Sequence, residues 1–155
     1  MDFRKNQNHS FSSKLNLDRV YPFINSVRAG FPSPANEYLE GVINPLDLLL
    51  KNPDSSFFAR VLGDSMKDVF VRNDDLLIID RSLEPRNGNV VVCTLGGTFL
   101  TKILRVEGKK WTLVSGNPNY PPIPITRENE FELWGVGAWS CHNLLGGGWG
   151  GVRSR

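Results

Sequence analysis

The chain has 155 residues, which suits one compact domain with chain left over for arms, and its 40% hydrophobic and 22% charged residues are ordinary for a globular protein. A formal net charge of +2 is too small to argue for a nucleic-acid or membrane partner. No run reaches the ~18 apolar residues of a membrane span, residues 1–14 lack the apolar stretch of a secretory signal, and two cysteines make no disulfide framework. The expectation is a cytoplasmic chain with reduced thiols and no membrane contact.

Residues 1–29 carry Arg4, Lys5, Lys14, Arg19 and Arg28 against Asp2 and Asp18, a net of +3 that leaves −1 for the rest. The segment is polar, has one weak apolar cluster at VYPFINSV and shows no helical period, so it reads as a flexible basic arm. In AGFPSPANEYLEG, Pro32 and Pro34 favour extended backbone at Phe31 and Ser33. INPLDLLLKNP predicts a short helix with Asn44 as N-cap, Pro45 at the first helical position and Asn52-Pro53 as its stop.

Strands follow: SFFARVL, DLLIID, GNVVVCTL, a Gly96-Gly97 turn into TFLTKILRV, then KKWTLVS and FELWGVGAW. Short strands separated by Gly, Asn and Pro turns predict a mostly β, antiparallel fold with a short helix. The Gly-rich end LLGGGWGGVRSR predicts a disordered tail over 144–155.

Few residues can carry chemistry. His9 and His142 lie in the arm and near the tail without a metal-ligand neighbour at useful spacing, so neither a metal site nor a Ser-His-Asp triad is expected. No phosphate-binding glycine loop is present, and no cofactor is expected. Serine with lysine remains. A serine hydroxyl needs a base, and lysine, with a reference pKa of ~10.4, becomes one only where burial disfavours its charge. In TFLTKILRV, alternation places Leu100, Lys102, Leu104 and Val106 on one strand face. Taken alone, Lys102 reads more readily as a surface lysine with its stem on apolar surface. Ser65, in GDSM, could equally belong to a turn that Asp64 or Ser65 caps.

Together the segments AGFPSPA, GDSM and GTFLTKIL resemble the LexA/UmuD family of self-cleaving serine-lysine peptidases of the SOS response. GFPSPANEYLE and LLIIDRSLEPRNGNVVV favour the UmuD branch over LexA. The resemblance spans roughly residues 28–139, with 37 residues from Ser65 to Lys102 and 35 from Gly30 to Ser65. It implies a compact antiparallel β domain of the family's C-terminal type over 30–143, preceded by an arm (1–29) that self-cleavage removes. It also implies Ser65 as nucleophile, Lys102 as general base and Ala29-Gly30 as the scissile bond. Backbone N–H groups of Ser65 and Met66 are the expected oxyanion donors.

The family also implies a homodimer, stimulation by the RecA filament on single-stranded DNA, and use of the truncated product by a Y-family (UmuC-like) translesion polymerase. Residues 1–28 are too short and unpatterned for a helix-turn-helix, so no sequence-specific DNA binding is expected. The missing membrane anchor argues against a signal-peptidase-like enzyme. The rival reading is a catalytically inactive dimeric module that binds the polymerase.

Overall fold

The computed structural model describes residues 19–24 and 39–146. The chain divides into two compact units, one of residues 8–51 and one that contains residues 52–155.

In the smaller unit, β1 (Tyr21–Ile24) pairs antiparallel with β2 (Leu39–Ile43), in an irregular register running from Tyr21↔Ile43 to Ile24↔Leu39. Residues 21–24 thus form a strand inside the expected arm. Four residues carry too weak an alternation to register in sequence, and it is the partner strand that supplies their hydrogen bonds. Helix α1 (Pro45–Leu49) starts as its signals predict: Asn44 Oδ1 accepts the Leu46 N–H at 3.1 Å, and Pro45 sits where no donor is needed.

The larger unit is one antiparallel sheet. Its strands are β3 (Ser56–Arg60), β4 (Leu76–Asp80), β5 (Val90–Leu95), β6 (Thr98–Glu107), β7 (Lys110–Val114), β8 (Ile123–Pro124) and β9 (Phe131–Cys141). The spatial order is β3-β4-β9-β5-β6-β7-β8, so the last strand lies between β4 and β5. In this sheet the expected strands are present, and only the two-residue β8 was not anticipated.

Both faces of this sheet carry apolar residues, and strand parity sorts them. Leu77, Ile79 and Val92 share one cluster with Val61, Met66 and Val71, against which Val90 and Ile103 also pack. Val91, Cys93, Leu104 and Leu113 form the other, with Leu100, Val106 and Trp111 beside it. The continuous apolar run of β5 is the mark of a strand buried on both sides. Strand β9 enters through glycine. A Cβ on Gly135 would meet Ile79 Cγ2 at 2.6 Å and the Asp80 carbonyl oxygen at 3.0 Å, so only glycine admits β4 this close. Both pairings of β9 carry a register shift, at Ile78/Ile79 and at Val92/Cys93, which bends the sheet around this strand.

A buried acid ties β9 to the turn before β4. Asp75 is fully buried and accepts from the Arg72 N–H (2.8 Å), the Ser140 hydroxyl (2.9 Å) and His142 Nδ1 (2.6 Å). Burial by itself would raise its pKa; the three hydrogen bonds and the neighbouring imidazole outweigh that and hold it below 3.8. The folded form therefore binds fewer protons than the unfolded chain just below the ordinary carboxylate range. The resulting stability is fully present above that range and is lost as pH falls through the lowered value. Asp75→Asn is expected to cost about 2 kcal/mol at pH 7 and to flatten the acid limb of a urea-denaturation series below pH 4. A variant with an unchanged acid limb would show that Asp75 does not govern it.

Candidate active site

The site is built from β6 outward. Lys102 lies opposite Val91 in the β5–β6 ladder, flanked on its face by Leu100 and Leu104, and is only 6% exposed. The parity that makes β6 amphipathic therefore drives an ammonium into an apolar face. Desolvation lowers the pKa of this lysine below the ordinary value, and only a charged Cys93 nearby would act in the other direction. Cys93 itself is pushed up to about 12 by burial, so it stays neutral and offers Lys102 no counter-ion.

Two polar groups reach the buried amine. Lys102 Nζ donates to Ser115 Oγ at 2.8 Å, and it lies 5.3 Å from the ring centroid of Tyr120. Ser115 follows the last residue of β7, whose Val114 pairs with Ile103. Tyr120 donates its hydroxyl to Asp64 Oδ1 at 2.7 Å. That hydrogen bond, with the carboxylate charge beside it, raises the phenol's pKa, so the ring stays neutral.

Ser65 is carried on the turn that follows β3. Met66, 2% exposed, is the anchor: its side chain lies in the cluster of Val61, Val71, Leu77 and Ile79. Burial of such a side chain contributes about 1.5–3 kcal/mol. Ser65, one residue earlier, is half-buried at the rim. A 3-10 turn, Lys67–Val69, follows, and neither Asp64 nor Ser65 caps it with a side chain. Asp64 instead turns to Tyr120 and Asn117: Asn117 Nδ2 donates to the Asp64 backbone oxygen at 3.2 Å and approaches Oδ2 at 3.4 Å.

The same turn is sewn to the segment after β7. Asp68 N–H donates to the Gly116 carbonyl at 2.8 Å. Gly116 must be glycine for steric reasons, since a Cβ there would stand 2.7 Å from Val69 Cγ2. Residues 115–120 thus form the bridge between the serine turn and the lysine: Ser115 and Tyr120 on Lys102, Gly116, Asn117 and Tyr120 on residues 64–68.

The structure therefore gathers the Ser65 turn and Lys102 around one polypeptide segment. Among the described residues, the hydroxyl hydrogen-bonded to Lys102 is that of Ser115, not that of Ser65. The backbone N–H groups of Ser65 and Met66 donate to no described residue. Ala29 and Gly30, the expected cleavage site, lie outside the described residues, as does the tail from residue 147. Sequence reading missed Asp64, Ser115, Asn117 and Tyr120. The only local sign was the turn-forming SGNPNYPP stretch after β7, which gives no hint of which element it will touch. His142 lies on Asp75, away from any pairing with Ser65 among the described residues.

This architecture is that of a known class of peptidase. The chain matches the family profile described as Peptidase S24-like over residues 22–137, and it belongs to that family. It is 34% identical over 124 residues to protein MucA of Salmonella typhimurium, covering 79% of this chain and 82% of MucA. To protein SamA of Salmonella typhimurium strain LT2 it is 33% identical over 108 residues, 70% of this chain and 74% of SamA. The LexA repressor of Bordetella pertussis is 34% identical over 118 residues, but those residues are 76% of this chain and only 54% of the repressor.

A buried lysine with no counter-ion among the described residues costs stability while it is charged. Because its folded pKa lies below 10.5, the unfolded chain binds more protons between the two values, and wild-type stability rises with pH across that window. Lys102→Met is expected to be more stable than wild type by about 1 kcal/mol at pH 7. The advantage should vanish above the ordinary lysine range, as read by urea denaturation at both pH values; a variant less stable at pH 7 would contradict the assigned cost.

Proposed function

We propose that this protein is a self-cleaving mutagenesis protein of the SOS response, in which Ser65 and Lys102 form a serine-lysine dyad that cuts the chain's own Ala29-Gly30 bond. The observation that carries the reading is a lysine buried on an apolar strand face, its amine held by the same segment that fastens the Ser65 turn. Such an amine has a larger neutral fraction near physiological pH than an exposed lysine, which is what a general base requires. Membership of the Peptidase S24-like family supports the same chemistry.

Ser65 Oγ bonds to the Ala29 carbonyl carbon while its proton passes to Lys102 Nζ. The oxyanion is met by the N–H groups of Ser65 and Met66, which have no described partner to give up. Lys102 returns the proton to the departing Gly30 amine. Water, deprotonated by the same lysine, then releases Ala29 from the serine. The tether of 35 residues between Gly30 and Ser65 supplies the substrate at high effective concentration.

The resemblance extends the reading to partners. The RecA filament on single-stranded DNA would favour the state in which the cleavage segment covers the site, and covering the site further desolvates Lys102. The product, beginning at Gly30, would act as a homodimer with a Y-family translesion polymerase subunit in the cytoplasm. No described helix is long and apolar enough to cross a membrane.

Incubation of the purified chain at rising pH is expected to yield a fragment beginning at Gly30, with a rate that climbs as Lys102 loses its proton. Ser65→Ala and Lys102→Ala should give no fragment by mass spectrometry, and Lys102→Arg, which stays charged, should be equally silent. Fragment formation that persists in Ser65→Ala would sink the mechanism. No cleavage in any form, even with activated RecA filament, would favour the inactive interaction module. Removal of residues 146–155 is expected to leave cleavage intact; its loss in that truncation would assign the tail a part in the reaction.

A further inference from the structure

Resting on the serine-lysine reading above, we propose that Ser115 is a positioning residue for Lys102, fixing the amine so that its one lone pair is left for the proton of the nucleophile. A neutral amine has two N–H donors and one lone pair. Donation of one N–H to Ser115 Oγ, at 2.8 Å, restricts rotation about the Cε–Nζ bond and excludes most orientations in which the lone pair is misdirected. The chain of four methylenes behind Nζ lies on the apolar strand face shared with Leu100 and Leu104, which sets its depth but not the rotation of the amine.

Ser115 is itself held in place from two sides. The register of β7 against β6 ends at Val114↔Ile103, which sets Ser115 beside Lys102. On its other side Gly116 is pinned, its carbonyl on the Asp68 N–H and its Cα against Val69, in the turn that carries Ser65. The hydroxyl therefore measures the distance between the base and the nucleophile's turn: movement of one displaces the other through a single peptide unit.

The same hydrogen bond favours the ammonium, because the acceptor stabilises charge that burial opposes. The groups facing the amine are Ser115 from the segment after β7, Tyr120 from the same segment, and Cys93 from β5, with Asp64 behind the Tyr120 hydroxyl. Cys93 is neutral through most of the accessible pH range, its thiol being pushed up to about 12. Tyr120 is raised by Asp64, the direction opposite to that of Lys102. A change in the Lys102 titration on removal of the Ser115 hydroxyl therefore reports that hydroxyl.

The test separates this role from the dyad itself. In the full chain carrying Ser65→Ala, which is not to cleave, the Lys102 side chain is titrated by NMR with labelled lysine, its signal assigned by loss in Lys102→Met. Adding Ser115→Ala is expected to move the Lys102 midpoint down by about one pH unit. In the Ser65-intact chain, Ser115→Ala should shift the pH–rate profile of self-cleavage downward by the same amount. Its plateau should fall at least ~10-fold, the loss expected of a misoriented base. Ser115→Thr, which keeps the hydroxyl, should restore both.

An unchanged midpoint in Ser115→Ala would overturn the proposal even where Ser65-dependent cleavage is intact. A midpoint that moves as expected while the Ser65-intact chain never cleaves would overturn the dyad reading, and with it the catalytic part of this one. Cleavage that survives Ser65→Ala but not Ser115→Ala would make Ser115 a nucleophile and overturn its positioning role.

Discussion

The burial of one amine governs the chemistry this structure offers. Lys102 stands where strand parity and the apolar cluster of Val91, Cys93, Leu104 and Leu113 demand a hydrophobic side chain. The position costs free energy, since burial strips water from the charge and no carboxylate pairs with it among the described residues. Instead it supplies a hydroxyl, an aromatic face and a thiol kept neutral by its own burial. The result is an amine biased toward its neutral form, and the cost is met by a sheet packed on both sides.

The serine turn depends on that sheet in a different way. It has no long element of its own, only a buried Met66 and a short 3-10 turn. Its precision comes from residues distant in sequence, Gly116, Asn117 and Tyr120, that fasten Asp64 and Asp68. A turn held by a core side chain below and by hydrogen bonds at its flank keeps Ser65 half-buried. The turn and the lysine are thereby coupled through the six residues after β7, with no hydrogen bond between the turn and the amine among the described residues.

Much of the fold was legible in sequence because alternation is a local property. The runs SFFAR, LLIID, VVVCTL, TFLTKILRVE and KWTLV are strands in the structure, and Asn44-Pro45 starts a helix as its chemistry requires. The same alternation put Lys102 on the apolar face of its strand but left open a surface lysine with its stem on that face; its burial decides for the interior. Tyr21–Ile24 was not legible, because a four-residue strand exists through its partner, Leu39–Ile43. The Ser115–Tyr120 bridge was not legible either, since SGNPNYPP announces a turn and nothing about its neighbours.

By itself, then, the sequence determined which residues could do chemistry and which way their side chains point along a strand: a serine in a Gly-Asp turn and a lysine on an apolar face. Period and propensity are set by neighbours along the chain, and they need no knowledge of the rest. Only the tertiary structure decided that the lysine amine meets Ser115 and Tyr120, that β9 slides between β4 and β5 at Gly135, and that Asp64 faces Tyr120. Such pairings join residues up to 67 positions apart, as with Asp75 and His142, and depend on strand order and steric fit that no local pattern encodes.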